Sequence, residues 1–173
     1  MENVPADEGN NLDTVRKWLW SHQYKADNDT KISGQSNLLV IVSKSMMQTY
    51  NTFKDLLEFS IHPTELRYTH QKTQIVRSYQ IGVFTVFDTN ERPLLAGYAL
   101  LNSGASWVIK QAIEYFFAFQ NHQYPNTLMT GAEPDVLEAV RLLREQKSYM
   151  GNHRIKLESV FKIIETSFPG TPA

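Results

Sequence analysis

The sequence predicts one α/β domain built around a mixed β-sheet, and three observations carry that prediction. Leu38-Leu39-Val40-Ile41-Val42 is an unbroken apolar run rich in β-branched residues, as expected of a strand buried on both faces. Residues 79–87 and 94–101 are two strand-like runs separated by Asp88-Thr89-Asn90-Glu91-Arg92-Pro93, whose turn chemistry makes them a hairpin. The helical stretch from Ser106 then leads to a short strand at 127–130, and a crossover of that length is what a parallel strand requires.

The remaining elements follow in order. Residues 1–10 are polar and are expected to be disordered; Leu12, Val15, Trp18 and Leu19 then recur at helical spacing, giving a helical extension over 11–23. Residues 25–37 read as a loop. Ser43 is placed to cap a helix carrying Met46, Met47, Tyr50 and Phe53, and residues 56–61 read as an extended segment stopped by His62-Pro63. A further strand lies near Tyr68. Ser106 is the expected cap of the next helix, with Trp107, Ile109, Ala112, Ile113, Phe116 and Phe117 on its inner face. Glu133-Pro134-Asp135 opens a helix with proline in its first turn and acids at its positive end. A last helix is expected over 154–167. Residues 11–173 are read as a single domain, because 173 residues suffice for one sizeable core.

Composition excludes several functions. Seventeen Lys and Arg against eighteen Asp and Glu leave a net charge of −1, so no global field draws in phosphates, and nucleic acid is expected to bind only weakly to the chain alone. The absence of cysteine removes disulfides, thiolate metal sites and cysteine nucleophiles. Nothing approaches the roughly 20 apolar residues of a membrane span, and the acidic start has no leader pattern. The expectation is an intracellular protein, nuclear or cytoplasmic, with no membrane association.

Several motifs together resemble the catalytic domain of Mutator-like (MULE) transposases. They are Arg67-Tyr68-Thr69-His70, the hairpin from Val83 to Asp88 and from Pro93 to Leu101, the aromatic-rich helix, and the frame Met129-Thr130-Gly131-Ala132-Glu133-Pro134 followed by Asp135-Val136-Leu137-Glu138-Ala139. The resemblance spans about residues 38–143 and implies a ribonuclease H-like fold: an antiparallel hairpin beside the strand near Tyr68, with the 127–130 strand added in parallel. In that family, carboxylates hold two divalent ions that activate the attacking oxygen and stabilise the leaving one. Where the family has its first two acids, this chain is read as having Arg67 and Gly131. A guanidinium is permanently protonated and has no acceptor, so it cannot ligate a metal. The family's third acid lies beyond a segment bearing Cys and His; this chain has no cysteine and ends soon after, with His153 where part of that segment would fall. The resemblance therefore implies an inactive copy with no metal or other cofactor.

Other residues carry alternative readings. Asp88 is either the cap of the hairpin turn or a surviving metal ligand, and Glu133 and Asp135 are either an acidic first helical turn or displaced catalytic acids. His62, His70, His122 and His153 lack the spacing of a metal motif. Ser103 and Ser106 lack a nucleophile-elbow frame. Gly82 and Gly97 read as points of close packing. Lys147, Arg154, Lys156 and Lys162 form the one candidate nucleic-acid patch, interrupted by Glu145, Glu158 and Glu165. Tyr115, Phe116, Phe119 and Tyr124 are the candidate protein-interaction surface, since a helix so apolar must be covered. The expected function is a non-catalytic, transposase-derived scaffold with a protein partner, within a nuclear or nucleic-acid-associated complex. The rivals are an active metal-dependent nuclease using Asp88, Glu133 or Asp135, and an unrelated α/β adaptor.

Overall fold

A computed structural model of the chain describes residues 31–35, 38–62, 65–69, 74 and 76–156. The expected tail over 1–10, the helix over 11–23, His70, Lys162 and the final helix from residue 157 onward lie outside the described residues. In chain order the elements are β1 (Lys31–Gln35), β2 (Leu38–Val42), α1 (Lys44–Phe53), β3 (Leu56–Ile61), β4 (Leu66–Thr69), β5 (Val76–Phe87), β6 (Pro93–Leu101), α2 (Ser106–Phe119), β7 (Thr127–Thr130), α3 (Pro134–Glu145) and β8 (Asn152–Ile155).

The strands form one sheet in the order β1-β2-β6-β5-β3-β7-β8; off this path, β4 pairs with the first residues of β5, before the stretch that pairs with β3. Neighbours from β1 to β3 are antiparallel, whereas β7 joins β3, and β8 joins β7, in parallel. Each parallel addition follows a helix, α2 before β7 and α3 before β8, as a crossover demands. An antiparallel hairpin beside a central strand, with parallel strands on that strand's other side, is the ribonuclease H-like arrangement.

The central strand is not the one expected from the sequence. β4, which carries Tyr68, pairs with the first half of β5, placing Arg67 opposite Ser78, and it has no pairing with β7. β3 lies between the hairpin and β7, with Leu57 opposite Val86 on one side and Leu128 on the other. Burial explains the choice: Leu57 and Phe59 are fully buried, while Arg67 is exposed. An apolar strand suits the centre of a sheet, and a strand bearing an exposed guanidinium suits its margin.

Smaller corrections have similar causes. Residues 31–35, expected in a loop, form β1 because edge pairing to β2 needs only backbone donors and acceptors. Arg154 and Ile155, expected to be helical, lie in β8 and are fixed by parallel pairing to Met129 and Thr130. Trp107 is 47% exposed, since the buried seam of α2 runs through Val108, Ile109, Ala112, Ile113, Phe116 and Phe117. The N-cap of α2 is Ala105 rather than Ser106, with the Ala105 amide bonded to Ser103 Oγ. Ser43 caps α1 as expected, closing a capping box with Met46.

One apolar cluster joins α1, α2 and α3 to a single face of the sheet, and Leu39, Ile41 and Tyr79 form a second cluster on the other. At the centre of the first, Phe84 stacks on Phe116 at 4.1 Å, with Phe59 tilted against Phe84 at 5.0 Å and Tyr50 edge-on to Phe116 at 5.2 Å. The strand glycines make room for these rings. A Cβ on Gly97 would stand 3.0 Å from Phe116, and one on Gly82 would stand 2.9 Å from Phe59 Cε2. Phe59 is itself fully buried and has little room to retreat. Gly82→Ala should therefore lower the stability by about 1–3 kcal/mol. Urea unfolding checks this through a lower midpoint with an unchanged m-value.

Candidate functional site

The chemistry of this site begins with an acid on the central strand. β3 alternates, so Leu57 and Phe59 enter the helix-covered core while Glu58 and Ser60 face the other side. Glu58 is buried, 6% exposed, between Thr85 of β5 and Met129 of β7. Its carboxylate is met by the ammonium of Lys156. Lys156 follows β8 directly, and its amide continues the ladder by donating to the Thr130 carbonyl at 2.9 Å. By alternation its side chain shares a face with Arg154 and Met129, and so reaches Glu58 across β7. A buried carboxylate without a partner would cost several kcal/mol, and Lys156 supplies that partner.

β7 ends at Thr130, beside Gly131, where the resemblance places a lost acid. A Cβ on Gly131 would meet Glu133 Oε2, so the Glu133 carboxylate folds over the bare glycine. Glu133 is also the N-cap residue of α3, Pro134 stands in its first turn and Asp135 is exposed beside it. The acids thus occupy the positive end of the helix, as the helical reading expects. Asp88 caps the hairpin turn: Oδ1 accepts from the amides of Asn90 and Arg92 at 2.8 and 2.9 Å, and Oδ2 from Arg92 Nε at 2.8 Å. The Arg92 amide is the largest cause that holds this carboxyl below the usual range; burial, next in size, opposes it, and the Arg92 guanidinium and the Asn90 amide add to the lowering.

Among the described residues, no three His, Asp or Glu side chains gather as a metal ion would need. The metal pair implied by the fold does not fit what is present, because Glu58 already faces a cation and Gly131 offers no oxygen from a side chain.

Of the nucleic-acid candidates, Lys147, Arg154 and Lys156 lie among the described residues. Lys147 is exposed at the end of α3, in the left-handed region at φ 56°, and Arg154 is exposed on β8. Lys156 is drawn to Glu58, which removes it from the patch. Of the protein-interaction candidates, Phe116 is fully buried and belongs to the core, and Phe119 packs against that core. Tyr115 and Tyr124 do come together, lining a cleft of about 370 Å³ with Gln111, Glu114, Phe117 and Ser148.

His153 was among the scattered histidines of the sequence, and the fold gives it a definite place. Its Nε2 lies 2.9 Å from the hydroxyl of Thr130, a fully buried side chain that also donates to the Gly131 carbonyl. His62 is exposed, and His122 Nδ1 lies 3.3 Å from the Tyr124 hydroxyl. Sequence reasoning missed the Glu58–Lys156 pair altogether. Its signal was a single acid inside the apolar run Leu56-Leu57-Glu58-Phe59-Ser60-Ile61.

Fold and site together define a ribonuclease H-like α/β domain whose central acid is paired internally. No protein-family model matches the chain, and no curated protein matches it. Among solved structures, the catalytic core domain of the HTLV-2 integrase, determined in complex with magnesium in a trimeric form, is similar over 69% of this chain and 76% of the integrase chain, with 13% identity and a TM-score of 0.35. The fold assignment rests on the strand order.

Burial, with a smaller effect from Arg144, lowers the pKa of His153. Its unfolded value is about 6.5, so above that pH both states hold it neutral and the fold is unpenalised. As pH falls through 6.5 towards the depressed folded value, the unfolded chain takes up the proton first and stability is lost. Chemical denaturation at pH 7.5 and 5.5 should show a larger loss for the parent than for His153→Gln; equal losses would remove His153 from the account.

Proposed function

We propose that the chain is a catalytically inactive ribonuclease H-like domain of Mutator-like transposase descent, which works as a protein-binding module. The observation that carries this reading is the Lys156 ammonium on the Glu58 carboxylate at the centre of the sheet. Two-metal catalysis needs several carboxylates free to share ions, and a fixed ammonium beside the central acid neutralises it and repels a divalent cation. Gly131 supports the same conclusion from the adjoining strand end, since it brings no ligand to the place where the family carries one. A helical face that leaves Tyr115 and Tyr124 at an open cleft supports the binding role.

A second reading, an active nuclease with displaced acids, is favoured by one feature: the Glu133 carboxylate stands where a side chain of residue 131 would begin. One experiment separates the two. The full chain is titrated with manganese and magnesium by calorimetry and assayed for cleavage of single- and double-stranded DNA. Inactive descent gives no stoichiometric metal binding and no cleavage; tight binding with cleavage that is lost in Glu133→Gln establishes the second reading.

A further inference from the structure

From the cleft beside the second half of α2, we infer a binding site for an arginine side chain presented by a partner protein, an inference that rests on the protein-binding reading above. Gln111, Glu114, Tyr115 and Ala118 follow one another at helical spacing and form one wall. Tyr124 stands opposite, 42% exposed, with the buried ring of Phe117 edge-on to it at 5.1 Å. Tyr115, Phe117 and Tyr124 are among its lining residues, and no lysine or arginine lines it.

Two of its polar atoms are acceptors with no donor from the described residues. Lys110 Nζ and Ser148 Oγ both donate to Oε1 of Glu114, each at 2.8 Å, so Oε2 has no donor among the described residues. Gln111 Oε1 is buried and also has no partner among them. Lys110 already offsets part of the Glu114 charge, so a bare point charge gains little here. A guanidinium fits better: it is planar, stacks on tyrosine faces, and carries five N–H groups, so it can donate to Oε2 of Glu114 while lying on an aromatic ring.

The turn that presents Tyr124 is fixed independently of any ligand. The His122 amide donates to the Phe117 carbonyl at 2.9 Å and the Asn121 amide to the Ala118 carbonyl at 3.1 Å, a Schellman closure of α2. Asn121 and His122 are both left-handed, at φ 54° and 56°. Asparagine tolerates this region well and histidine less so, which marks a turn held in place by its surroundings. The far wall is thus built before a partner arrives.

The test is an NMR titration of the full chain with acetyl-Gly-Arg-Gly-amide and with its lysine and citrulline counterparts. The arginine peptide should shift resonances of Tyr115, Tyr124 and Ser148, and the other two should bind about tenfold more weakly. Glu114→Gln should weaken the arginine peptide by about tenfold and Tyr124→Ala by about fivefold, both in chains whose remaining spectrum is unchanged. No shifts with arginine at millimolar concentration, equal binding of citrulline, or indifference to Glu114→Gln would each overturn the inference. Metal binding with DNA cleavage would end the inactive reading while leaving the arginine result standing, so the two failures are distinguishable.

Discussion

The ion pair between Glu58 and Lys156 is the constraint around which the parallel half of this domain is arranged. Its two residues belong to the central strand and to the segment just beyond β8, with β7 between them. For the ammonium to reach the carboxylate, β3, β7 and β8 must keep their register, because a slip of one residue would turn Lys156 to the opposite face. The backbone bond from Lys156 to the Thr130 carbonyl fixes the same register from the main chain. A charge pair in a sheet contributes less to net stability than to specifying one arrangement, and here it specifies where the last described strand docks.

The same pair bears on the proposed loss of catalysis. A ribonuclease H-like sheet brings the middle of its central strand and the end of the neighbouring parallel strand close together, and chemistry on this fold depends on oxygens at those two places. This chain supplies an acid already matched to a lysine at the first, and at the second a glycine covered by the Glu133 carboxylate. The other candidate acid, Asp88, is engaged by the hairpin turn that it closes. One buried acceptor without a partner among the described residues, Gln111 Oε1, belongs instead to a residue at the α2 cleft, on the helical layer.

Much of the architecture was legible in the sequence because it was written in periodicity. The β2 run is wholly buried, the β5–β6 hairpin turns at Asp88, and Pro134 opens α3, each for the reason its residues suggest. The choice of central strand was not legible. Both 56–61 and the strand near Tyr68 are extended, and the match of Thr69-His70 to a family motif favoured the wrong one. Only pairing with β7, a contact between distant segments, distinguishes them. Arg67 was read at the family's first acidic position through that match, whereas the strand that pairs with β7 is β3, which carries Glu58. Lys156 was misassigned for a related reason, since its partner lies 98 residues away, the difference between positions 156 and 58. β1 escaped notice because edge pairing leaves little mark on side-chain pattern.

The central claim is that Lys156 neutralises a buried Glu58, and a double-mutant cycle on stability tests it most directly. Lys156→Met alone strands a carboxylate in the sheet and should cost about 2–3 kcal/mol, allowing for the partial exposure of the lysine; Glu58→Leu/Lys156→Met removes both charges and should return to within about 1 kcal/mol of the parent. A Lys156→Met chain as stable as the parent, or a double variant no better than the single, would contradict the account.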